Sequence, residues 1–427
     1  MLQMSAVRHG SAALHIRFSL SESFLHPGGY TAGIVSGTAT GRPLPLYLMQ
    51  AIMTLDELDT PAALIDVPRM QRNIAAMQTR MDSLGVAFRP HVKTSKCLEV
   101  ARAQQAAGAR GITVSTLKEA ETFFAAGIDD ILYAVGIAPS KLARAHALRA
   151  KGCRLKLLVD NASAASALLA TRPADDAPLE VFIEIDTDGH RSGIGPEDAA
   201  LLEVGRILQA GGIGVAGVLT HAGSSYELND AESLARLAEQ ERAGCVRAAE
   251  RLRAAGIACP AVSVGSTPTA LRARALPGVT EVRAGVYVFF DLVMHNVGVC
   301  TLDQIALSVL TTVIGHQTDK GWAIVDAGWM AMSRDRGTAR QAVDFGYGQV
   351  CELDGTPIEA CLMQGANQEH GIVAFEARTV DIARRLPIGT RLRILPNHAC
   401  ATGAQFPSYH ALQAQGGTDE WVRFQGW

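Results

Sequence analysis

The stretch RPHVKTSK, Arg89 to Lys96, places two lysines directly after the apolar run GVAF. A lysine at the end of a buried strand is costly to desolvate. Its amine either reaches out to solvent or holds an aldehyde as an imine. Other chemically capable residues close later apolar runs: His221, then Gly265-Ser266-Thr267 in GSTPT, then Arg283 and Gly285-Val286. Small hydroxyls and backbone N–H groups in such turns can cradle a phosphate. Each signal has a plainer reading. Lys93 alone is a solvated rim residue, GSTPT is an N-capped turn, and His221 is a hydrogen-bonded structural histidine. Taken together, a lysine amine facing an anion cradle is the arrangement that pyridoxal 5'-phosphate needs. Near the C-terminus, LPNHACATG carries His398 and Cys400 with one residue between them. On a strand these two share a face, and an imidazole with a thiolate suits zinc. On a loop the same pair carries no such meaning.

The elements that must position these residues follow a repeating pattern from residue 60 onward. Eight short apolar runs alternate with helical stretches: VAFRPHV (86–92), GITVST (111–116), DILYAV (130–135), RLKLLVD (154–160), LEVFIEID (179–186), VAGVLTHA (215–222), AVSVGST (261–267) and EVRAGVYVFF (281–290). Continuous apolar strands separated by crossover helices predict a parallel sheet buried on both faces. Eight such units predict a (β/α)8 barrel, whose chemistry collects at the C-terminal ends of its strands. After about residue 300 the texture changes to strand-like runs with Gly-rich turns, which predicts a mostly antiparallel C-terminal β-domain. The expected division is a leader over 1–52, the barrel over 53–300 and the β-domain over 301–427.

The leader is acid-poor. It carries Arg8, Arg17 and Arg42 against one acid, Glu22. That is the composition of a transit peptide, or of a poorly ordered segment upstream of an alternative start at Met53; the second reading is preferred. The formal net charge of -3 offers no basic footprint for nucleic acid and no polybasic membrane patch. No apolar run approaches the ~18 residues of a spanning helix. Eight scattered cysteines without a CxxC read as reduced thiols, and the expected location is cytoplasmic.

Six segments in order, LDTPAALIDVPRMQRNIAAMQ, RPHVKTSK, IDTDGHRSGIG, LTHAGSSY, VGSTPTAL and EVRAGVYVFFD, resemble the fold type III, alanine-racemase-type pyridoxal enzymes. The resemblance is to the branch holding D-serine dehydratase, D-threo-3-hydroxyaspartate dehydratase and D-threonine aldolase, and it runs from about residue 55 to the C-terminus. It implies that Lys93 carries the cofactor while Lys96 points to solvent or a phosphate rim, and that Tyr226, Thr267, Gly285 and Val286 contact cofactor or phosphate. It implies that Arg283 stands where the racemases have an arginine facing the pyridine nitrogen. It further implies a divalent metal at His398 and Cys400, with zinc favoured over manganese, cobalt or nickel. The dehydratases use His-x-Cys there and the aldolases His-x-Asp, so Cys400 favours a dehydratase of D-3-hydroxy amino acids with D-threonine aldolase as the alternative. A homodimer is expected. A non-catalytic pyridoxal carrier would lack the β-domain. A racemase would need a second base, for which only Tyr347 and Tyr409 are available in that domain.

Overall fold

The computed structural model of the protein describes residues 54–171 and 179–427. The leader expectation for residues 1–52 lies outside the described residues. The eight expected barrel strands are all present: β2 (Ala87–Phe88), β3 (Ile112–Val114), β4 (Asp130–Gly136), β5 (Arg154–Val159), β6 (Glu180–Ile185), β7 (Gly214–Thr220), β8 (Ala261–Val264) and β9 (Glu281–Val282). They form one parallel sheet in the order β2-β9-β8-β7-β6-β5-β4-β3. The sheet closes on itself just beyond β2. Val92 N–H donates to the Thr113 carbonyl at 2.9 Å, and Thr113 N–H donates to Pro90 at 2.8 Å. The fold is therefore the (β/α)8 barrel that the alternation predicts.

The helices take their places for local reasons. Val67–Ser83 begins at Asp66, whose side chain accepts from Arg69 N–H, and Pro68 fills the first turn. Its buried face is Met70, Ile74, Met77 and Met81, the spacing of one helical stripe. Thr116 caps Leu117–Ala125, and Glu119 returns a bond to Ser115 N–H at 3.0 Å.

A second, nine-stranded sheet holds β1 (Ala62–Asp66), β10 (Leu307–Gln317), β11 (Trp322–Val325), β12 (Gly348–Cys351), β13 (Pro357–Ala366), β14 (Gly371–Phe375), β15 (Arg391–Pro396), β16 (Ser408–Leu412) and β17 (Thr418–Val422). Its order is β11-β14-β13-β12-β15-β10-β1-β16-β17, with β10 also bonded to β11. All of its pairings are antiparallel except β1 with β16. The β-domain expectation holds for the antiparallel sheet after residue 300. In addition, β1 enters this sheet from the other end of the chain, between β10 and β16.

One strand is shorter than its sequence suggests. EVRAGVYVFF pairs only over Glu281–Val282, and Val286–Val288 is a 3-10 turn. The chain must bend here because Gly285 passes against the turn before Lys93. A Cβ on Gly285 would stand 3.0 Å from the His91 carbonyl oxygen.

Candidate active site

A cavity of about 870 Å³ opens at the C-terminal ends of the barrel strands. Lys93, His221, Tyr226, Ser266, Thr267, Gly285, Val286, His398 and Cys400 all line it. The two chain regions meet through the residue next to Lys93: Thr94 Oγ1 lies 3.2 Å from Cys400 Sγ.

The barrel wall is built by loops that hold one another. His221 Nδ1 is 3.1 Å from the Gly265 carbonyl, so this nitrogen carries the proton and Nε2 is left as an acceptor. Burial, reinforced by the Lys93 charge, brings the His221 pKa down to about 3. His91 is likewise pushed well below the ordinary imidazole value by burial and Lys93. Both rings are neutral at physiological pH. The buried carboxyl of Glu241 accepts from Ala222 N–H at 2.9 Å and Gly265 N–H at 3.1 Å, tying together the loops after β7 and β8. Burial raises its pKa. Gly265 has φ +127°, and a Cβ there would lie 2.3 Å from the Arg283 carbonyl, so only glycine fits. Ser266 caps the helix Thr267–Arg272 and also bonds Ser225 Oγ at 2.8 Å. The capped-turn reading of GSTPT is therefore correct, and the turn still faces the cavity. Arg283 is buried, with Nη1 on Ser263 Oγ at 2.6 Å and Nη2 on the Thr220 carbonyl at 2.5 Å.

Two expectations are corrected. Lys96 points neither to solvent nor to a phosphate rim: its Nζ is 3.2 Å from Glu119 Oε1, a carboxylate with no exposed side-chain surface. His398 and Cys400 do not share a strand. β15 ends at Pro396, and His398 is the N-cap of the one-turn helix Ala399–Gly403. The buried Asp291 carboxylate holds that turn, accepting Ala399 N–H at 2.9 Å on one oxygen and Met294 N–H at 2.9 Å on the other. The amide between the two candidate ligands is thus anchored to the barrel.

A cation fits this pair. His398 Nδ1 is 2.6 Å from Asp335 Oδ2, so Nε2, the nitrogen bonded on the Cys400 thiol side, is the atom that would ligate, the usual carboxylate–histidine–metal order. Burial alone would lower the His398 pKa, but the Asp335 bond and the Cys400 sulfur push it up to about 11. Without an ion the ring is therefore protonated, and a cation would take the place of its Nε2 proton. Burial would raise the Cys400 thiol, but His398 and Lys93 bring it below its ordinary value, toward the thiolate a metal requires. Among the described residues no group of three or more His, Cys, Asp or Glu gathers as a metal cluster. A cation here would keep open coordination positions, as catalytic sites do. The cavity suits pyridoxal phosphate as well, with one lysine amine, neutral imidazoles and glycine-lined turns.

Sequence reasoning passed over His91, Asp291 and Asp335. His91 was accessible, because it lies two residues before Lys93, at the mouth where the chain leaves β2 for the turn that carries Lys93. Asp335 and Asp291 are distant in sequence from the pair they support. Neither Tyr347 nor Tyr409 lines the cavity; Tyr409 is buried, donating to the Ser95 carbonyl and accepting from Arg423.

Residues 65–293 match the family of the alanine racemase N-terminal domain, and residues 306–412 match the putative serine dehydratase domain. The chain belongs to this dehydratase family of the alanine racemase fold. Within the family it is 67% identical over 377 residues to D-threo-3-hydroxyaspartate dehydratase of Delftia sp. (strain HT23), covering 88% of this chain and 99% of the relative. The solved structure of that enzyme superposes with a TM-score of 0.87, covering 88% of this chain and 100% of the other. Two further forms of it carry a histidine and a cysteine, two positions apart, each replaced by alanine; the cysteine variant is in a metal-free form. D-serine dehydratase of Dictyostelium discoideum is 30% identical over 386 residues, 84% of this chain and 94% of the relative. D-threonine aldolase of Filomicrobium marinum shares 25% identity at a TM-score of 0.72, covering 86% and 96%. The chain is a carbon–nitrogen lyase of the ammonia-lyase type.

Proposed function

We propose that the protein is a pyridoxal-phosphate- and divalent-metal-dependent dehydratase of D-3-hydroxy amino acids, taking D-threo-3-hydroxyaspartate or D-serine. The observation that carries this reading is the 3.2 Å approach of Thr94 to Cys400, which brings Lys93 and the His398–Cys400 pair to one cavity. Lys93 is the residue that holds the cofactor and afterwards takes the proton from the substrate Cα. Gly265, Ser266, Thr267, Gly285 and Val286 form the phosphate side of the cavity. His221 and Tyr226, tilted at 48° with ring centroids 6.2 Å apart, wall the cofactor plane. His398 and Cys400 hold the cation, with zinc favoured on the softness of the thiolate. When bound, the cofactor would delocalise the electron pair left at Cα, and the cation would draw electron density from the β-hydroxyl so that it departs as hydroxide, the proton taken from Cα completing the water lost overall. The released enamine then hydrolyses to ammonia and a 2-oxo acid.

Ammonia release from a panel of D-3-hydroxy amino acids, with and without chelator, tests the reading. Oxaloacetate from D-threo-3-hydroxyaspartate and pyruvate from D-serine, both lost on chelation, are expected. Glycine plus an aldehyde as the main products would instead favour the D-threonine aldolase alternative.

A homodimer completes the proposal. Val135, in the cavity wall, and Val343, beside the cavity-lining Ala342, remain 43% and 49% exposed and would be covered by a second copy. Light scattering at micromolar concentration is expected to give twice the chain mass; a fully active monomer would refute it.

A further inference from the structure

The segment Ser333 to Arg340, SRDRGTAR, reaches the same cavity from the second sheet. Its polar side chains are almost all engaged. Asp335 bonds His398 at 2.6 Å. Arg336 pairs with Asp344 at 2.7 Å. Arg334 stacks on Trp329, 4.9 Å from the ring centroid. Thr338 is buried and donates to Asn397 Oδ1 at 2.8 Å. The next residue, Gln341, takes a bond from Asn296 Nδ2 at 3.1 Å and gives one to the Tyr226 carbonyl at 3.4 Å. The turn Gly337–Arg340 is thereby fastened to the barrel on one side and to the residues at His398 on the other. The exception is Arg340. Arg340 lines the cavity and is exposed, and its side chain forms no hydrogen bond or ion pair among the described residues.

We infer that Arg340 is the specificity-determining residue of this site, receiving a second carboxylate on the substrate β-carbon. The inference rests on the dehydratase reading and narrows its substrate class to the dicarboxylic 3-hydroxy amino acids. The geometry argues from adjacency. A substrate whose β-hydroxyl meets the cation at His398 and Cys400 carries its other β-substituent at the same carbon. That substituent must therefore lie on the cation's side of the cavity. Arg340 is on that side: its turn is bonded through Thr338 to Asn397, the residue before His398. A guanidinium binds a carboxylate through two parallel N–H donors. The other cavity arginines are less suited. Arg283 is committed to Ser263 and Thr220, and Arg191, on the loop after β6, already has Glu184 at 3.5 Å. The imidazoles of His91 and His221 are uncharged and give a carboxylate no counter-charge.

Two measurements on holoenzyme test this. The first is kcat/KM for D-threo-3-hydroxyaspartate and for D-serine in the wild type, Arg340→Ala, Arg340→Lys and Arg191→Ala. The second is titration of the cofactor absorbance with D-aspartate and D-alanine, neither of which has a hydroxyl to lose, so binding is read without dehydration. Arg340→Ala is expected to lose roughly 10- to 100-fold in kcat/KM for the dicarboxylic substrate and in D-aspartate affinity. Its values for D-serine and D-alanine should change less than about twofold, and Arg340→Lys should recover part of the loss. Equal losses for mono- and dicarboxylic ligands, no loss for either, or a selective loss in Arg191→Ala instead would each overturn the inference. If wild-type enzyme releases no ammonia yet prefers D-aspartate through Arg340, the dehydratase reading fails and the carboxylate site stands.

Discussion

Lys93→Ala is expected to abolish the absorbance of the lysine-bound cofactor, at roughly 410–420 nm, and to leave no measurable ammonia release. Among the described residues Lys93 is the one lysine on the cavity wall, and the turn that carries it is closed on itself and held at Cys400. Lys96 N–H bonds the Val92 carbonyl at 2.8 Å, Ser95 Oγ reaches the same carbonyl, and Thr94 touches Cys400. Lys96→Ala gives the informative contrast. It leaves Glu119 buried without its ammonium partner, which costs about 3 kcal/mol of stability. Its absorbance band should survive, because Lys96 points away from the cavity and into that ion pair. Absorbance spectra and thermal melts of the two variants side by side separate the roles. A lysine-bound band persisting in Lys93→Ala would move the cofactor attachment elsewhere.

Chelation is expected to remove dehydratase activity by roughly a hundredfold or more while leaving the lysine-bound absorbance intact. Lys93 and the glycine-lined turns belong to the barrel, whereas His398 and Cys400 sit on the turn after β15; the two parts meet at Thr94 and Cys400, but the lysine-bound cofactor takes none of its bonds from the ion. Cys400→Ala should match chelation and lower the metal content measured by emission spectroscopy. Cys400→Asp restores an anionic but harder ligand, so the preferred ion should shift from zinc toward manganese, with some cleavage of D-threonine. A cysteine that merely packs would tolerate alanine at a small stability cost. Full activity in metal-free protein would remove the metal from the mechanism.

The barrel was legible because parallel strands buried on both faces must be written as uninterrupted apolar runs, and every such run between residues 86 and 290 contains a strand. Strand ends were legible for the same reason, and they carry Lys93, His221 and Ser266. The apolar run through Phe290 misled because a buried 3-10 turn needs the same residue types as a buried strand. Val286–Val288 packs inside, and the Val288 carbonyl accepts a bond from Asn73. The pair His398 and Cys400 was singled out by the family resemblance, and the shared strand face that i, i+2 spacing suggests does not occur, since the two sit on a cap and a helical turn after β15. Asp335, Asp291 and Glu241 act on residues far away in the chain, and no local pattern could reveal those partners.

The position of β1 bears on how the protein is made. Ala62–Asp66 emerges early in synthesis, yet its neighbours Leu307–Gln317 and Ser408–Leu412 come some 240 and 340 residues later. Until then its backbone donors and acceptors have no ladder to join, and the whole barrel must be threaded between the two halves of one sheet. The two modules are therefore not separable by cutting near residue 300. An N-terminal fragment would display β1 as a bare apolar edge prone to aggregate, and a C-terminal fragment would have a gap between β10 and β16. Such a chain folds late and as a whole, and a stop codon even close to the C-terminus would expose strand edges at both ends of the molecule's history.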